Sequence, residues 1–298
     1  MQSKKFTFQV WPRILVLLMV LLIIAGNFSC EILQQVAKKT IELKVMTYNI
    51  YRADPSGPDE WKWRNRKTQV VQNIKTVHPD VFGVQEAGRG QIDYLLDELP
   101  DYRFYGRGRD DGHDEGEHAG IFYLYARFSR VRAGTFWFSN RPDTPGSKPG
   151  SAWGDPHHPR ICSWVRLIER ETNKAFYFYN LHLEHGDRSV AREKSVELLG
   201  ERIESRAHPE NLFLVVGDFN AKSTTDAILY VVNNLKYLDT YAETNENLDD
   251  GYTTLGGRRI DYIFAHPKAK GLLTNSYVPK WGGSDHYPLV TELLLPIE

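Results

Sequence analysis

The chain has 298 residues, a formal net charge of −1 and the composition of an ordinary globular protein, with no repeat or low-complexity tract. The first 29 residues contain three basic residues and no acidic ones, so the remainder holds 34 Lys and Arg (37 less those three) against 38 Asp and Glu. The remainder of the chain carries a charge of −4. This argues against tight, non-specific binding to nucleic acid, which needs a basic face, but does not exclude a nuclease that binds its substrate transiently.

The N-terminus has the layout of an export signal. Basic residues precede an unbroken apolar run of 12 residues over 14–25, which is short of the roughly 20 residues that a membrane-spanning helix needs. Ser29-Cys30 then resembles a bacterial lipoprotein cleavage site, with Cys30 acylated after cutting, although Asn27 and Phe28 depart from the usual residues of such a site. An uncleaved anchor and a plain secretory signal remain open as alternatives.

These alternatives share one prediction about location. Residues 1–29 form a signal peptide, 30–42 a tether and 43–298 the folded body. All three readings therefore predict an exported protein, and the lipoprotein and uncleaved-anchor readings predict one anchored to a membrane of the bacterial cell envelope, facing the periplasm or the cell surface.

Hydrophobic periodicity predicts strands that alternate with helices along the body. The predicted strands cover 43–50, 81–86, 102–105, 120–125, 131–138, 161–169, 175–182, 212–216, 258–264, 272–278 and 289–295. The predicted helices cover 63–77, 91–99, 189–206 and a segment that is capped by Ser223 or Thr224 and ends at Val232.

The sequence also predicts the surroundings of two loops, of Cys162 and of five histidines. The Pro/Gly-rich loop 139–159 is too long for a plain connector and predicts a functional rim. The polar loop 106–117 is expected to be solvated, Glu117 excepted, and Cys162 to be a buried core thiol. Five histidines are expected to be solvated rather than ligands: His113, His118, His157, His158 and His185.

Polar side chains that can bind a cation or carry a proton recur where predicted strands end. The apolar run 212–216 leads through Gly217 into Asp218 and Asn220, a pattern that alone could also be an Asx turn after a core strand. The same transition recurs along the chain and gives the full set Asn49, Glu86, His182, Asp218, Asn220, Asp261, Asp285 and His286. Oxygen ligands with few cysteines favour Mg²⁺, Mn²⁺ or Ca²⁺ over zinc, and such a site fits phosphate-ester hydrolysis.

The motifs around these residues resemble, in order and spacing, those of the endonuclease/exonuclease/phosphatase superfamily. They are Thr-Tyr-Asn49, Val-Gln-Glu86, Asn-Leu-His182, Gly-Asp218-Phe-Asn220, Arg-Ile-Asp261-Tyr-Ile and Ser-Asp285-His286. Members include deoxyribonuclease-I-like enzymes, abasic-site endonucleases, deadenylases, inositol-polyphosphate phosphatases and bacterial sphingomyelinases. The resemblance covers Leu43 to the C-terminus and implies a catalytic domain of the α/β class. That domain would be a four-layer α/β/β/α sandwich of two mixed sheets flanked by helices, with a metal in a cleft at one edge.

The resemblance assigns one group of residues to the metal and the attacking water. Glu86 would be the main metal ligand, with Asn49 beside it and Asp285 close to the ion. The ion is expected to be Mg²⁺, with Mn²⁺ and Ca²⁺ as alternatives. Asp218 would orient or deprotonate the attacking water, and Asn220 would hold both Asp218 and the substrate phosphate.

A second group is assigned to the phosphate and the leaving group. His286 would hydrogen-bond a phosphate oxygen or assist the nucleophile, with Asp261 fixing its tautomer. His182 would face the leaving group, with Glu117 as its partner. Arg160 matches a phosphate-contacting arginine.

The expected function is that of an exported, monomeric, divalent-metal-dependent hydrolase of phosphate esters, a phosphodiesterase or phosphatase. Water would attack a metal-bound phosphoryl group of a small molecule or a lipid head group. A surface nuclease is the alternative, although Gly88 stands where nucleic-acid-cleaving members often carry a basic side chain, for which Arg89 could substitute. A second alternative, an inactive surface binding module, is disfavoured because competent residues fill every core polar position.

Overall fold

A computed structural model describes residues 40–54 and 56–297, so the predicted signal peptide and nearly all of the tether lie outside the described residues. Its compact body is Glu42–Leu294. The strands of the described residues are β1 (Thr40–Asn49), β2 (Val81–Ala87), β3 (Tyr102–Tyr105), β4 (His118–Leu124), β5 (Phe128–Trp137), β6 (Ile161–Glu169), β7 (Ala175–His182), β8 (Leu212–Asp218), β9 (Leu238–Asp239), β10 (Asp261–Ala265), β11 (Leu273–Tyr277) and β12 (Leu289–Pro296). The α-helices are α1 (Trp63–Val77), α2 (Arg89–Glu98), α3 (Ser189–Glu204), α4 (Asp226–Asn233) and α5 (Thr240–Thr244).

The strands form two mixed sheets of six strands each. Their orders are β11-β12-β1-β2-β4-β3 and β5-β6-β7-β8-β10-β9, with parallel pairs at β1–β2 and β7–β8. Strands β2 and β4 pack against β6, β7 and β8 across the middle of the molecule. Buried residues of α1 and α2 share a core with the first sheet, and those of α3 and α4 share one with the second. The predicted four-layer α/β/β/α sandwich is confirmed.

The helical layers form where the sequence places apolar residues at helical spacing. In α1, Val70, Ile74 and Val77 are buried, and the helix ends at His78, whose left-handed backbone (φ 49°) terminates it. The bounds of α1 match the predicted 63–77. Cys162 on β6 is fully buried and unpaired, as predicted for a core thiol. Among the described residues, no helix is both long and apolar enough to cross a membrane.

The predicted strand 258–264 is shorter than expected. The strand begins only at Asp261, because Arg258 lies in a tight turn. Its carbonyl accepts hydrogen bonds from the backbone N–H groups of Thr253 and Thr254, and its own N–H donates to the Thr254 hydroxyl at 3.1 Å. These local hydrogen bonds take the place of β-sheet pairing at Arg258, so that the first paired residue of the strand is Asp261.

The start of α4 and two short elements also differ from the prediction. Neither Ser223 nor Thr224 caps the helix. Thr225 precedes Asp226 at its start, and the Thr225 hydroxyl donates to the Lys222 carbonyl instead of capping. The sequence predicts neither β9 nor α5, because two and five residues are too few to show a period.

A buried amide joins the two sheets beside the ends of β2 and β8. Asn180 on β7 donates from Nδ2 to the carbonyls of Val84 (2.9 Å) and Gly120 (2.8 Å) on the first sheet, and its Oδ1 accepts from Gln85 Nε2 at 2.7 Å. A Cβ at Gly83 would lie 2.6 Å from this amide, so only glycine leaves room for it. The amide therefore fixes one sheet against the other.

Replacing Asn180 with Ala is expected to lower the free energy of unfolding by about 3 kcal/mol, because two carbonyls and the Gln85 amide each lose a buried hydrogen bond. Urea denaturation would measure the change. Asn275→Ala, at an exposed strand position, is the control and is expected to cost less than about 0.5 kcal/mol. Equal effects of the two substitutions would show that the amide does not hold the sheets together.

Candidate active site

The predicted site residues meet at one cleft of about 260 Å³. Eight of the ten line it: Glu86, Glu117, Arg160, His182, Asp218, Asn220, Asp285 and His286. The other two lie directly behind. Asn49 donates to Glu86 and Asp218 at 3.1 Å each, and Asp261 bonds to His286 at 2.8 Å. Residues spread over most of the chain are thus brought together, while the role assigned to each stays a prediction.

Strand pairing places the residues of the second sheet. The parallel pair β7–β8 sets His182 beside Asp218, and the antiparallel pair β8–β10 sets Asp261 opposite Asp218. Gly217 precedes Asp218 with φ 146°, and a Cβ there would lie 2.1 Å from the Leu181 carbonyl oxygen. A glycine is therefore required for the backbone to deliver Asp218 to the sheet edge.

Glu86 reaches the cleft from the first sheet through a backbone irregularity. The register between β2 and β4 shifts after Val84, and Glu86 has a left-handed backbone with φ 60°. This conformation costs about 1–3 kcal/mol for a residue other than glycine and is found at functional sites. The carboxylate accepts from Asn49 Nδ2 and from the backbone N–H of Arg52, both at 3.1 Å.

Asp218 is held in a single orientation at the centre of the cleft. Its Oδ2 accepts from Asn49 at 3.1 Å and its Oδ1 accepts from the backbone N–H of Asn220 at 2.8 Å. The Nε2 atoms of His182 and His286 lie 3.6 Å and 3.8 Å from Oδ2. Burial, with the charge of Asp261 added, raises the pKa of Asp218 to about 7. A carboxyl group so placed suits proton transfer near neutral pH.

His286 and Asp261 form a buried pair. His286 Nδ1 lies 2.8 Å from Asp261 Oδ2, and both side chains are almost wholly buried. Burial alone would lower the pKa of His286, but the charge of Asp261 and the hydrogen bond to it outweigh burial and raise that pKa to about 10. At neutral pH the imidazole is therefore charged, with Nε2 directed toward Asp218.

His182 and Glu117 have surroundings that differ from those expected. Burial, with the charges of Arg160 and Arg109, lowers the pKa of His182 well below its usual value. The ring is therefore neutral, and its Nε2 accepts from Asn220 Nδ2 at 3.1 Å. Glu117, expected beside His182, instead accepts from Arg109 Nη1 at 2.7 Å, because the guanidinium is charged whereas the His182 ring is neutral.

Two arginines that line the cleft, buried Arg160 and partly buried Arg109, have N–H groups without a hydrogen-bond partner in the described part of the chain. Arg160 uses Nη2 for Glu184 (3.4 Å) and His185 (2.9 Å), which leaves its Nε and Nη1 without a partner among the described residues. Arg109 pairs with Glu117 through Nη1, and its buried Nε is likewise unpartnered. Unpaired buried N–H groups are costly unless an anion completes them, and a guanidinium matches phosphate well.

Several residues at the cleft are missed by reasoning from sequence. They are Arg52, Arg109, His158, His185 and Arg258. The dense charges of loop 106–117 are a signal for Arg109, but the partners that bury it cannot be read from a pattern. The expectation that the five histidines are solvated is wrong for His118, which is 2% exposed on β4 with Nδ1 3.1 Å from the Ala87 carbonyl. The rim predicted over 139–159 contributes His158 to the cleft.

The donor set fits a hard divalent cation. Glu86 and Asp285 both line the cleft, and no Lys, Arg or His within residues 40–54 and 56–297 forms an ion pair with either. Burial raises the pKa of Asp285, the charge of His286 lowers it, and the charge of Glu86 raises it further. Two carboxylates without an ion-pair partner at one cleft are oxygen ligands of the kind that Mg²⁺ prefers.

A second group of ligand-type atoms does not fit a cation as well. Asp218, Asp261 and His286 bring one such atom each within 4.8 Å of one another. His286 Nδ1, however, hydrogen-bonds to Asp261, and the ring is protonated at neutral pH. Because a charged imidazole repels a cation, these three residues suit proton handling instead.

A family model described as the Endonuclease/Exonuclease/phosphatase family matches residues 46–286. The chain belongs to this family. A solved endonuclease/exonuclease/phosphatase from Bacteroides vulgatus is 29% identical, with a TM-score of 0.78 over 86% of this chain and 99% of that one. An uncharacterised protein of Acanthamoeba polyphaga mimivirus is 24% identical over 277 residues, which cover 83% of this chain and 98% of that protein.

One further relative has a more specific description. The mannosyl-6-phosphatase of Bacteroides thetaiotaomicron is 32% identical, with a TM-score of 0.72, over 85% of this chain and 99% of that one. The endonuclease/exonuclease/phosphatase family comprises hydrolases of phosphate esters and nucleic acids, and the cleft described above lies at the expected edge of the sandwich.

Proposed function

We propose that this member of the endonuclease/exonuclease/phosphatase family is a divalent-metal-dependent phosphatase that removes the phosphate of a phosphorylated sugar. The observation that carries the proposal is the group of four arginines that line the cleft: Arg52, Arg109, Arg160 and Arg258. A phosphate monoester presents three peripheral oxygens and up to two negative charges, whereas a diester presents two oxygens and one charge. A cleft with surplus guanidinium donors therefore favours the monoester.

The similarity to a mannosyl-6-phosphatase supports the same substrate class. The cleft of about 260 Å³ is near the lower end of small-molecule sites, which are usually about 300–1,000 Å³. Such a volume suits a single phosphorylated sugar unit.

Each side chain at the cleft has a separate role toward the phosphate or the attacking water. Arg160 and Arg109 bind the peripheral oxygens. Asp218, fixed by Asn49 and the Asn220 backbone, orients the attacking water and takes its proton. His286, kept charged by Asp261, donates a hydrogen bond to the phosphoryl group as negative charge develops there. Neutral His182 holds the Asn220 amide in place.

A divalent cation would be held by Glu86 and Asp285, with Asn49 adjoining, and Mg²⁺ suits this oxygen set. When bound, it supplies charge neutralisation for the phosphoryl oxygens. This part of the proposal is supported by the repulsion between the two carboxylates, since the charge of Glu86 raises the pKa of Asp285. A bound cation would offset that repulsion.

A substrate panel with and without EDTA tests the proposed function. Mannose 6-phosphate and p-nitrophenyl phosphate are expected to release phosphate in an EDTA-sensitive reaction, with kcat/KM at least about tenfold above that for bis-p-nitrophenyl phosphate, a difference of ~1.4 kcal/mol. Plasmid DNA, RNA, sphingomyelin and inositol phosphates complete the panel. Preferential nicking of plasmid or cleavage of RNA would favour the nuclease instead. No turnover of any compound would favour an inactive binding module.

Two observations weigh against a nuclease. The body carries a charge of −4, and Gly88 stands where nucleic-acid-cleaving members often have a basic residue. The substitute Arg89 is engaged with Asp93 at 2.6 Å and Asp114 at 3.1 Å, so it is not free to contact a phosphate backbone.

We further propose that the enzyme is exported and anchored through an acylated Cys30, as residues 1–30 suggest. Metabolic labelling with palmitate in a bacterial host would test this. Label is expected in the wild type and not in Cys30→Ala, and label in both would contradict acylation at Cys30.

A further inference from the structure

A second and larger cavity lies on the helix-covered side of the second sheet. It encloses about 500 Å³, and we call it the outer-face cavity, lined by Trp164, Tyr177, Tyr179, Arg132 and Arg202. Tyr179 is three residues before His182 on β7. Since strand side chains alternate, the cavity is on the face opposite the catalytic cleft, roughly 10 Å back along the strand.

Its floor is a row of aromatic rings. Gly134, Trp164 and Tyr179 pair in register across β5, β6 and β7. A Cβ at Gly134 would lie 2.7–2.8 Å from three indole atoms, so the indole lies flat across this glycine. Tyr177 and Tyr179 stack with ring centroids 6.0 Å apart and an interplanar angle of 21°. The indole is tilted against the rings of Tyr177 and Tyr179 by 49° and 36°, and of these three aromatic residues only Trp164 is more than marginally exposed.

Two tyrosine hydroxyl groups are reached by solvent at this cavity. Tyr177 and Tyr179 line it with side chains that are otherwise buried, 1% and 2% exposed. No hydrogen bond involves either hydroxyl among residues 40–54 and 56–297, and neither oxygen is among the buried atoms sealed from solvent. A ligand bound in the cavity would replace water as the partner of these hydroxyls.

The rim is positively charged. Arg132 is exposed and has no ionic or hydrogen-bonding partner in the described part of the chain. Arg202 is engaged, because its Nη2 bonds to Asp143 at 2.8 Å and its guanidinium stacks on Phe136. Arg206 also lines the cavity, but its Nη atoms are bonded to the backbone carbonyls of Ile203, Pro209 and Asn211. Among the described residues that line the cavity, Arg132 is therefore the free cation beside the aromatic floor.

We propose that the outer-face cavity binds an anionic oligosaccharide. The apolar C–H face of a pyranose stacks on a flat indole, its hydroxyls exchange hydrogen bonds with tyrosine hydroxyls, and an acidic substituent pairs with arginine. A single-stranded nucleic acid also stacks on aromatic rings, but its backbone needs a track of several free cations. The cavity offers one free arginine on an acidic body, so the sugar fits better.

This binding depends only on the residues of the cavity and not on the proposed phosphatase activity. If both proposals hold, the outer-face cavity binds a phosphorylated glycan close to the catalytic cleft that removes its phosphate. Loop 139–159 borders both places, since Asp143 lines the cavity and His158 lines the catalytic cleft.

Calorimetric titration of the whole protein in EDTA and saturating inorganic phosphate tests the proposal, because EDTA stops turnover and phosphate fills the cleft. The probes are a phosphorylated mannopentaose, its neutral counterpart and an oligo(dT) octamer. The phosphorylated sugar is expected to bind most tightly. Trp164→Ala and Arg132→Ala are each expected to weaken it about tenfold, or ~1.4 kcal/mol. Tyr179→Phe, which keeps the ring and removes the hydroxyl, is expected to weaken it about threefold.

The matched control is Arg130→Ala. It removes the same charge from the same strand, but Arg130 donates to the Phe104 carbonyl of the first sheet. Unchanged affinity in this variant, with unchanged melting of all variants by circular dichroism, would support the proposal. Wild-type affinity in the Trp164 and Tyr179 variants, equal binding of the neutral sugar, or tighter binding of oligo(dT) would overturn it. None of these outcomes depends on catalysis, so failure here is distinct from failure of the proposed function.

Discussion

Replacing Asp218 with Asn is expected to lower kcat toward p-nitrophenyl phosphate at least ~10²-fold while the protein stays folded. The substitution keeps the shape of the side chain but removes the group that takes the proton of the attacking water, a contribution of about 10²–10⁴ in rate. Initial rates at saturating Mg²⁺ would measure the loss.

The stability of the same variant provides an independent check. Burial raises the pKa of Asp218 to about 7 in the folded protein, above its unfolded value, so the ionised carboxylate destabilises the metal-free fold at neutral pH. The Asn variant is therefore expected to melt at the same temperature as the wild type or higher. Asp226→Asn, at an exposed position, is the control and should retain full activity. Full activity in Asp218→Asn would remove Asp218 from the role of base.

Glu86→Gln is expected to abolish the EDTA-sensitive part of the turnover and to weaken Mn²⁺ binding at least ~10²-fold. A direct carboxylate ligand should matter at least as much as outer partners, whose loss costs about 10–100-fold in affinity. Gln keeps the volume of the side chain but removes the charge that offsets that of the cation. Calorimetric titration with Mn²⁺ gives the affinity without depending on activity.

The control for this prediction is Glu246→Gln, which removes the same charge from an exposed position. It is expected to bind Mn²⁺ and turn over substrate as the wild type does. Wild-type Mn²⁺ affinity in Glu86→Gln would place the ion elsewhere, and Asp285 would then become the first ligand to vary.

Most strands and helices and most of the site residues could be predicted because they depend on short-range patterns, whereas the four-layer sandwich is implied by the resemblance of the motifs to the family. An apolar run that ends in a polar side chain marks the end of a buried strand, as in 212–218, and the strand-end residues Glu86, His182 and Asp218 meet at the cleft. Helix α1 is equally predictable, since its apolar residues repeat at the helical period over four turns.

The rest depends on partners that are distant in sequence. Whether Glu117 faces His182 or Arg109 is decided by how loop 106–117 folds back on itself. The burial of His118 requires knowing that it pairs within the first sheet. The outer-face cavity arises from three neighbouring strands, and its residues look like ordinary core aromatics until the register is known.

Heat tolerance and turnover are opposed at residue 86. The left-handed backbone of Glu86 is one that glycine adopts without penalty. A library screened only for survival after heating would therefore enrich glycine at this position, and sequencing and assaying the survivors would find them inactive. Any effort to make this enzyme more robust must select for both properties at once.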